Sequence, residues 1–370
     1  MSPSFPPLFP SMLLDSAVRF AQDNATADLS VADTIAEMGW ALTLVPETAG
    51  GLGGTLSDLA AVLEGLATHG IQLPVVETCA VAPLLLQAAA PDVAARWFEA
   101  LAEGATLAPL TALARSVDDT AITARYLDIG YELSGEVDGV ALPASASHVL
   151  IPATLVGSGE AAIFLVERER LPTPCASYRT MEGRPAVDVR LDRLTLPEGA
   201  CLARGAAAQA ALAHADNAAL LLTVADSVAA LAALIQGTVN HLKERKQFGV
   251  ALSTFQVLRH RTADMYVRFL GARGLLMHAI NEFDSAGGEG GALRRTLRLA
   301  KVSLAEIARS SAEAAIQMHG GMGMSEEVLA TRLAQRLLAS EFRYGDRLLH
   351  THALHAAPAT PSHDHLARSA

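Results

Sequence analysis

Aromatic residues make up only 5% of these 370 residues, and there are three cysteines, Cys79, Cys175 and Cys201. The scarcity of aromatics argues against an aromatic-rich sheet protein. Apolar residues reach 51%, the excess is Ala and Leu, and that composition favours packed helices. The cysteines are odd in number, far apart and without a CxxC pair, so they indicate neither a disulfide framework nor a zinc site and fit a reducing cytoplasm. Charged residues are also few, at 18%, and the balance is acidic, with a net charge of -11 and a pI near 5.5. An extended nucleic-acid face needs clustered cations, so any anion this chain binds must be held locally. The amino terminus MSPSFPPLFP lacks the basic and apolar regions of a secretory signal. The longest apolar tract, AALLLTVADSVAALAALI, is interrupted by Asp226 short of the roughly 18 apolar residues a membrane span needs. The expectation is a soluble, cytoplasmic protein that binds neither nucleic acid nor membrane.

The length suggests about two or three domains. Helical periodicity runs through LLDSAVRFAQ, VADTIAEMGWAL, SDLAAVLEGLATHG and PDVAARWFEALAEG, which places a helical domain over 1–106. The glycine-rich break PETAGGLGG lacks the Walker lysine and follows no clear strand, so it reads as a connecting loop. Short β-branched segments separated by turns, among them YELSGEVDGVAL and VDVRLDRLTL, predict a small antiparallel β-domain over 107–200. Helical periodicity then returns in four long segments, 205–245, 253–284, 292–318 and 326–340, which predicts a four-helix bundle within 201–356. The last stretch, 357–370, has little to bury and reads as a mobile tail.

Three stretches carry candidate chemistry. In LKERKQFGVALSTFQ, Arg245 and Lys246 stand where a long helix must stop. Cations there either satisfy the helix dipole or, in the case of Arg245, present a guanidinium fork to a diphosphate, with Phe248 and Gln256 nearby. In AIQMHGGMGMSEE a helix stops at His319, and Gly320 and Gly321 permit either a structural turn or a close backbone approach to a ligand. His319 reads as a satisfied turn histidine. In EFRYGD, residues 341–346, three ionisable side chains and a tyrosine crowd together just after the last bundle helix.

RKQFG with FQ seven residues after its glycine, followed about sixty residues later by Q-x-H-G-G-x-G, resembles the acyl-CoA dehydrogenase family, and MGWALTLVPETAGGLGG is similar to that family's amino-terminal segment. The resemblance implies an α+β multidomain fold with a helical amino-terminal domain, a β-barrel-like middle domain and a carboxy-terminal four-helix bundle. It implies FAD as cofactor and an acyl-CoA thioester as substrate. By resemblance, Arg245, Phe248, Gln256, Gln317, Gly320 and Gly321 are the residues that serve the adenosine and pyrophosphate side of an FAD lying between subunits. No metal is implied.

That chemistry needs a carboxylate base, hydrogen bonds to the thioester carbonyl and a cradled flavin. By the family's pattern the base position falls on Tyr344, followed by Gly345 and Asp346, and the alternative position on the first long helix falls on Ala219. Both lack a carboxylate. Asp346, Glu341 and Asp216 are the nearest substitutes, with Asp346 first among them. The stretches LAPLTALARSVDD and GVALPASASHVL lack the Trp, Thr and glycine-rich turn that contact the flavin ring in the family. The pattern resembles the small subunits of heteromeric acyl-CoA dehydrogenases, in which a paralogous chain holds the glutamate. The alternatives are a self-sufficient homomer with a displaced base and a flavin-free scaffold or CoA-ester binding protein. An electron-transfer acceptor is implied as a further partner.

Overall fold

The computed structural model describes residues 5–24 and 31–356. The first helix, α1 (Met12–Asp23), starts at Ser11, whose side chain accepts from the Leu14 N–H, and it buries Leu14, Ala17 and Ala21 along one stripe. Helix α2 (Val31–Glu37) leads into a buried turn at Trp40. Helix α3 (Leu56–Ala67) opens with a Thr55–Asp58 capping box and packs on α1 through Gly65, where a Cβ would come within 2.5 Å of the Ala17 Cβ. PETAGGLGG is a tight connecting loop in which a side chain on Gly51 would collide with the Val45 carbonyl. Next comes a stretch in which the sequence reading placed no helix: a π-helical turn, Val76–Val81, continues directly into α4 (Ala82–Leu86). Helix α5 (Pro91–Ala102) follows, with proline in its first turn.

The middle sheet contains β1 (Leu107–Pro109), β2 (Ile122–Leu127), β3 (Gly130–Val140), β4 (His148–Leu155), β5 (Ala161–Glu167), β6 (Ala176–Arg179), β7 (Pro185–Leu196) and β8 (Cys201–Arg204). Its order is β6-β7-β3-β2-β4-β5-β8, with β1 also paired to β4. The expectation of an antiparallel domain needs one correction, because β4 runs parallel to both β1 and β2. The chain reaches β4 from each of those strands through intervening strands and loops, and such long connections permit parallel pairing, whereas a tight hairpin imposes the antiparallel kind.

The carboxy-terminal part begins with α6 (Ala206–Glu244), followed by a minimal hairpin of β9 (Lys246–Gln247) and β10 (Val250–Ala251). Then come α7 (Gln256–Ala286), α8 (Gly291–His319), α9 (Leu329–Ser340) and α10 (Arg347–Ala356). The first four helices end within three residues of the segments read from periodicity, and α10, which packs on α8, is an addition. Helix α6 is apolar and long enough to cross a membrane, but 89% of its most apolar window is buried inside the protein, where it is the central helix of the bundle. The amino-terminal helices and the bundle share one hydrophobic core, and the sheet has its own around Leu133, Ile151 and Phe164. The tail expected over 357–370 lies outside the described residues.

Candidate functional site

Glu77 stands on the π-helical turn and is 2% exposed. A π-turn displaces one residue from the regular α-helical ladder, and such turns often mark functional positions. Here it sets a carboxylate among residues from all three parts of the chain. Its Oε2 accepts from Arg184, on the β6–β7 turn, at 2.8 Å. Its Oε1 accepts from Arg343 at 3.1 Å and from the Tyr344 hydroxyl at 3.2 Å. Burial alone would raise the Glu77 pKa, but Arg184 and Arg343 more than reverse that effect and hold it at about 2.

A second buried carboxylate extends the network. Asp226, on α6, accepts from Arg336 Nε at 3.2 Å and from Arg343 Nη1 at 3.3 Å, and Arg336 also donates to the Ile71 carbonyl at 2.9 Å. Tyr344 is 1% exposed with its backbone in the left-handed region, φ 54°, and its N–H donates to the Leu113 carbonyl at 2.7 Å. Burial, and then the neighbouring Glu77 carboxylate, push the phenol well above its ordinary pKa. It is therefore a protonated donor, the opposite of a base. Ala219, two turns from Asp226 on the same helix, is fully buried.

The three candidate substitutes for the base each have structural partners. Asp346 accepts from the Leu349 N–H at 2.7 Å and so caps α10. Glu341 accepts from Arg309 at 2.8 Å. Asp216 accepts from the Val117 N–H at 2.7 Å and pairs with Arg294, which also bonds Asp118; burial raises the Asp216 pKa despite that guanidinium. Beneath the loop, buried Lys301 donates to the Ser340 carbonyl, and its pKa falls to about 7 through burial and then the Arg343 charge.

Arg245, Phe248, Gln256, Gln317, Gly320 and Gly321 form a separate, exposed group. Arg245 caps α6, its N–H bonded to the His241 carbonyl at 2.8 Å. Phe248 turns the hairpin at φ 53° and is 90% exposed, its ring edge-on to Phe255 at 6.2 Å. Gln256 is the first residue of α7. At the end of α8, His319 is buried, its Nδ1 donates to the Ala315 carbonyl at 2.8 Å, and its ring stacks on His241 at 4.3 Å. That stack joins the ends of α6 and α8, so the predicted residues gather at one end of the bundle. Burial, then His319 and Arg245, lower the His241 pKa.

These residues fit one half of an FAD. The Arg245 side chain is exposed, and a Cβ built on Gly320 or Gly321 meets nothing within 4 Å, which leaves the turn open to a diphosphate. On the side expected to face the flavin ring, backbone groups are already engaged within the chain. In the loop after β1, the Leu113 N–H donates to the Gly139 carbonyl, the Leu113 carbonyl is taken by Tyr344, and the Val117 N–H is taken by Asp216. Among the described residues, no group of three or more His, Cys, Asp or Glu is placed to hold a metal ion.

Sequence reasoning missed Glu77, Arg184 and Arg336, and it singled out the stretch holding Arg343 without giving that arginine a role. The available signal was a glutamate in the otherwise uncharged run VVETCAVAPLLL and an arginine at position 336 within an apolar helix pattern.

Known proteins agree with this architecture. A model of the acyl-CoA dehydrogenase amino-terminal domain matches residues 12–105, and a model of the acyl-CoA dehydrogenase carboxy-terminal domain matches residues 207–354. Acyl-CoA dehydrogenase IpdE2 of Mycobacterium tuberculosis is 27% identical over 298 residues, which cover 79% of this chain and 74% of that protein. A variant of the Tcur3481-Tcur3483 steroid ACAD superposes with a TM-score of 0.78 at 24% identity, over 93% of this chain and 95% of that one. The ChsE4-ChsE5 complex from Mycobacterium tuberculosis gives a TM-score of 0.79 at 20% identity, over 96% and 100%. The two domain matches flank the middle sheet in the order the family requires, and the chain belongs to the acyl-CoA dehydrogenase family of FAD-dependent oxidoreductases.

Proposed function

We propose that this chain is a subunit of a heteromeric acyl-CoA dehydrogenase: it serves the adenosine and pyrophosphate side of an FAD site whose catalytic glutamate and flavin-ring contacts belong to a paralogous chain. One observation carries the reading. The base position is a buried, protonated tyrosine locked onto Glu77, while the residues suited to a diphosphate lie exposed together at the far end of α6 and α8. The likeness to ChsE4-ChsE5, itself a complex of two chains, supports it.

When bound, FAD takes up the two electrons released as the acyl-CoA is desaturated. In this reading Arg245 holds the diphosphate with its planar fork, the Gly320–Gly321 backbone approaches it without a side chain in the way, and Phe248, Gln256 and Gln317 pack around the adenosine. The proton on the substrate α-carbon goes to the partner's carboxylate, because no carboxylate of this chain stands free at the family's base positions.

The test is the absorbance near the flavin maximum of the chain purified alone and co-purified with a glutamate-bearing paralogue. A colourless chain that yields a flavin-loaded complex, with loading reduced by Arg245→Ala, is the expected result. A yellow homomer with one FAD per chain overturns it. Asp346→Asn keeps the α10 cap and should leave turnover of the complex unchanged; loss of turnover in a purified homomer would make Asp346 the base. If no partner loads flavin, the chain is a scaffold.

A further inference from the structure

A groove of about 540 Å³ runs between α6 and α7, apart from the buried network and beside the Arg245 end of the bundle. Its walls are Ile235, Val239 and Leu242 from α6 and Ala263 and Tyr266 from α7. Phe5 roofs it, held edge-on to Phe269 at 5.1 Å and against Tyr266 at 5.5 Å. Its volume falls within the roughly 300–1,000 Å³ of small-molecule sites, which are mostly apolar with a few placed polar groups.

The polar groups are of two kinds. Among the described residues, the charged side chains lining the groove are Lys243 and Arg259, both cations in a chain of net charge -11. Arg259 is fixed at the rim, its Nε donating to the Ser253 carbonyl at 2.7 Å. On the α6 wall, Gln236 donates from Nε2 to Asn240 at 3.0 Å, while its Oε1 is buried with no hydrogen-bond partner among the described residues. A buried acceptor without a donor is costly, and a ligand hydroxyl or a water carried in with a ligand would satisfy it.

We propose that this groove binds an amphipathic carboxylate, with its hydrocarbon body between α6 and α7 and its carboxylate at the Lys243–Arg259 rim. Hydrocarbon burial supplies the affinity, and the cationic rim selects a carboxylate over an uncharged compound of the same length. The site does not depend on the FAD reading: it uses none of the residues assigned there and needs no partner chain.

The experiment is titration of the purified full chain with dodecanoate below its micelle concentration, beside dodecanol, followed by calorimetry. Saturable binding of one dodecanoate per chain is expected, tighter than dodecanol. Ala263→Trp, at an exposed position, fills the groove without disturbing the core and should weaken dodecanoate roughly tenfold or more. Arg259→Gln should remove most of the preference for dodecanoate over dodecanol. Binding that does not saturate, or that survives Ala263→Trp unchanged, overturns the proposal. So does an Ala263→Trp chain that loses assembly with its paralogue while the wild-type chain binds no dodecanoate, since the groove is then a subunit interface.

Discussion

The Tyr344 hydroxyl donates to the Glu77 carboxylate at 3.2 Å, joining the loop after the last bundle helix to a π-helical turn 267 residues earlier in the chain. The same carboxylate accepts from Arg184 and Arg343, so Glu77 meets three donors from two separate regions of the chain.

Removing that charge leaves Arg184 buried without its counterion and Arg343 with Asp226 as its remaining carboxylate. Glu77→Gln should cost about 3–5 kcal/mol in urea unfolding at pH 7. A carboxylate depressed from 4.5 to about 2 contributes stability that is complete above pH 4.5 and is lost as the pH falls through 2. The wild-type stability curve should fall across that window, and the Glu77→Gln curve should be flatter there.

Restoring the family's glutamate by the single change Tyr344→Glu should not create activity. It puts a second carboxylate against Glu77 where a hydroxyl donor stood, so the expected result is a loss of about 2–4 kcal/mol in unfolding free energy and no acyl-CoA-dependent dye reduction. Turnover in that variant would show that the Glu77 network leaves room for a substrate.

Lys301 is depressed from 10.5 to about 7, so between those values the unfolded chain binds more protons than the folded one and stability rises with pH. Below 7 the cost of the buried charge is present in full. Lys301→Met, close in length and uncharged, should flatten the rise between pH 7 and 10.5 when unfolding is followed by circular dichroism.

Arg294 bridges Asp118, in the loop between β1 and β2, and Asp216 on α6. Arg294→Met should leave the buried Asp216 without its cation at a cost of about 2–4 kcal/mol. Faster hydrogen exchange at the Val117 amide, which is bonded to Asp216, would locate the loss at the seam between sheet and bundle. Unchanged exchange there would count against that seam.

The parts legible in the sequence were those governed by local rules. The bundle helices could be bounded because α8 repeats its apolar stripe from Leu293 to Met318 and because the Gly249 and Gly320 turns punctuate the helix ends. The residues proposed for the cofactor, at the ends of α6 and α8, could be picked out together because they stand in short motifs. The Glu77 network could not, since Glu77, Arg184, Asp226 and Arg336 are separated by long stretches of chain and only the fold brings them together. Alternation within a strand likewise says nothing about its neighbour's direction, so the parallel pairing of β4 with β1 and β2 escaped the reading.

The junction at Glu77 has a consequence for how the molecule comes apart. Its ions come from the amino-terminal helices, the sheet and the bundle, and the first and last of these also share a core. A fragment that ended before Arg184, or began after Glu77, would carry part of the network with its counter-charges missing. Truncation at the apparent domain borders should therefore yield insoluble pieces, and heat should melt the intact chain in a single cooperative step.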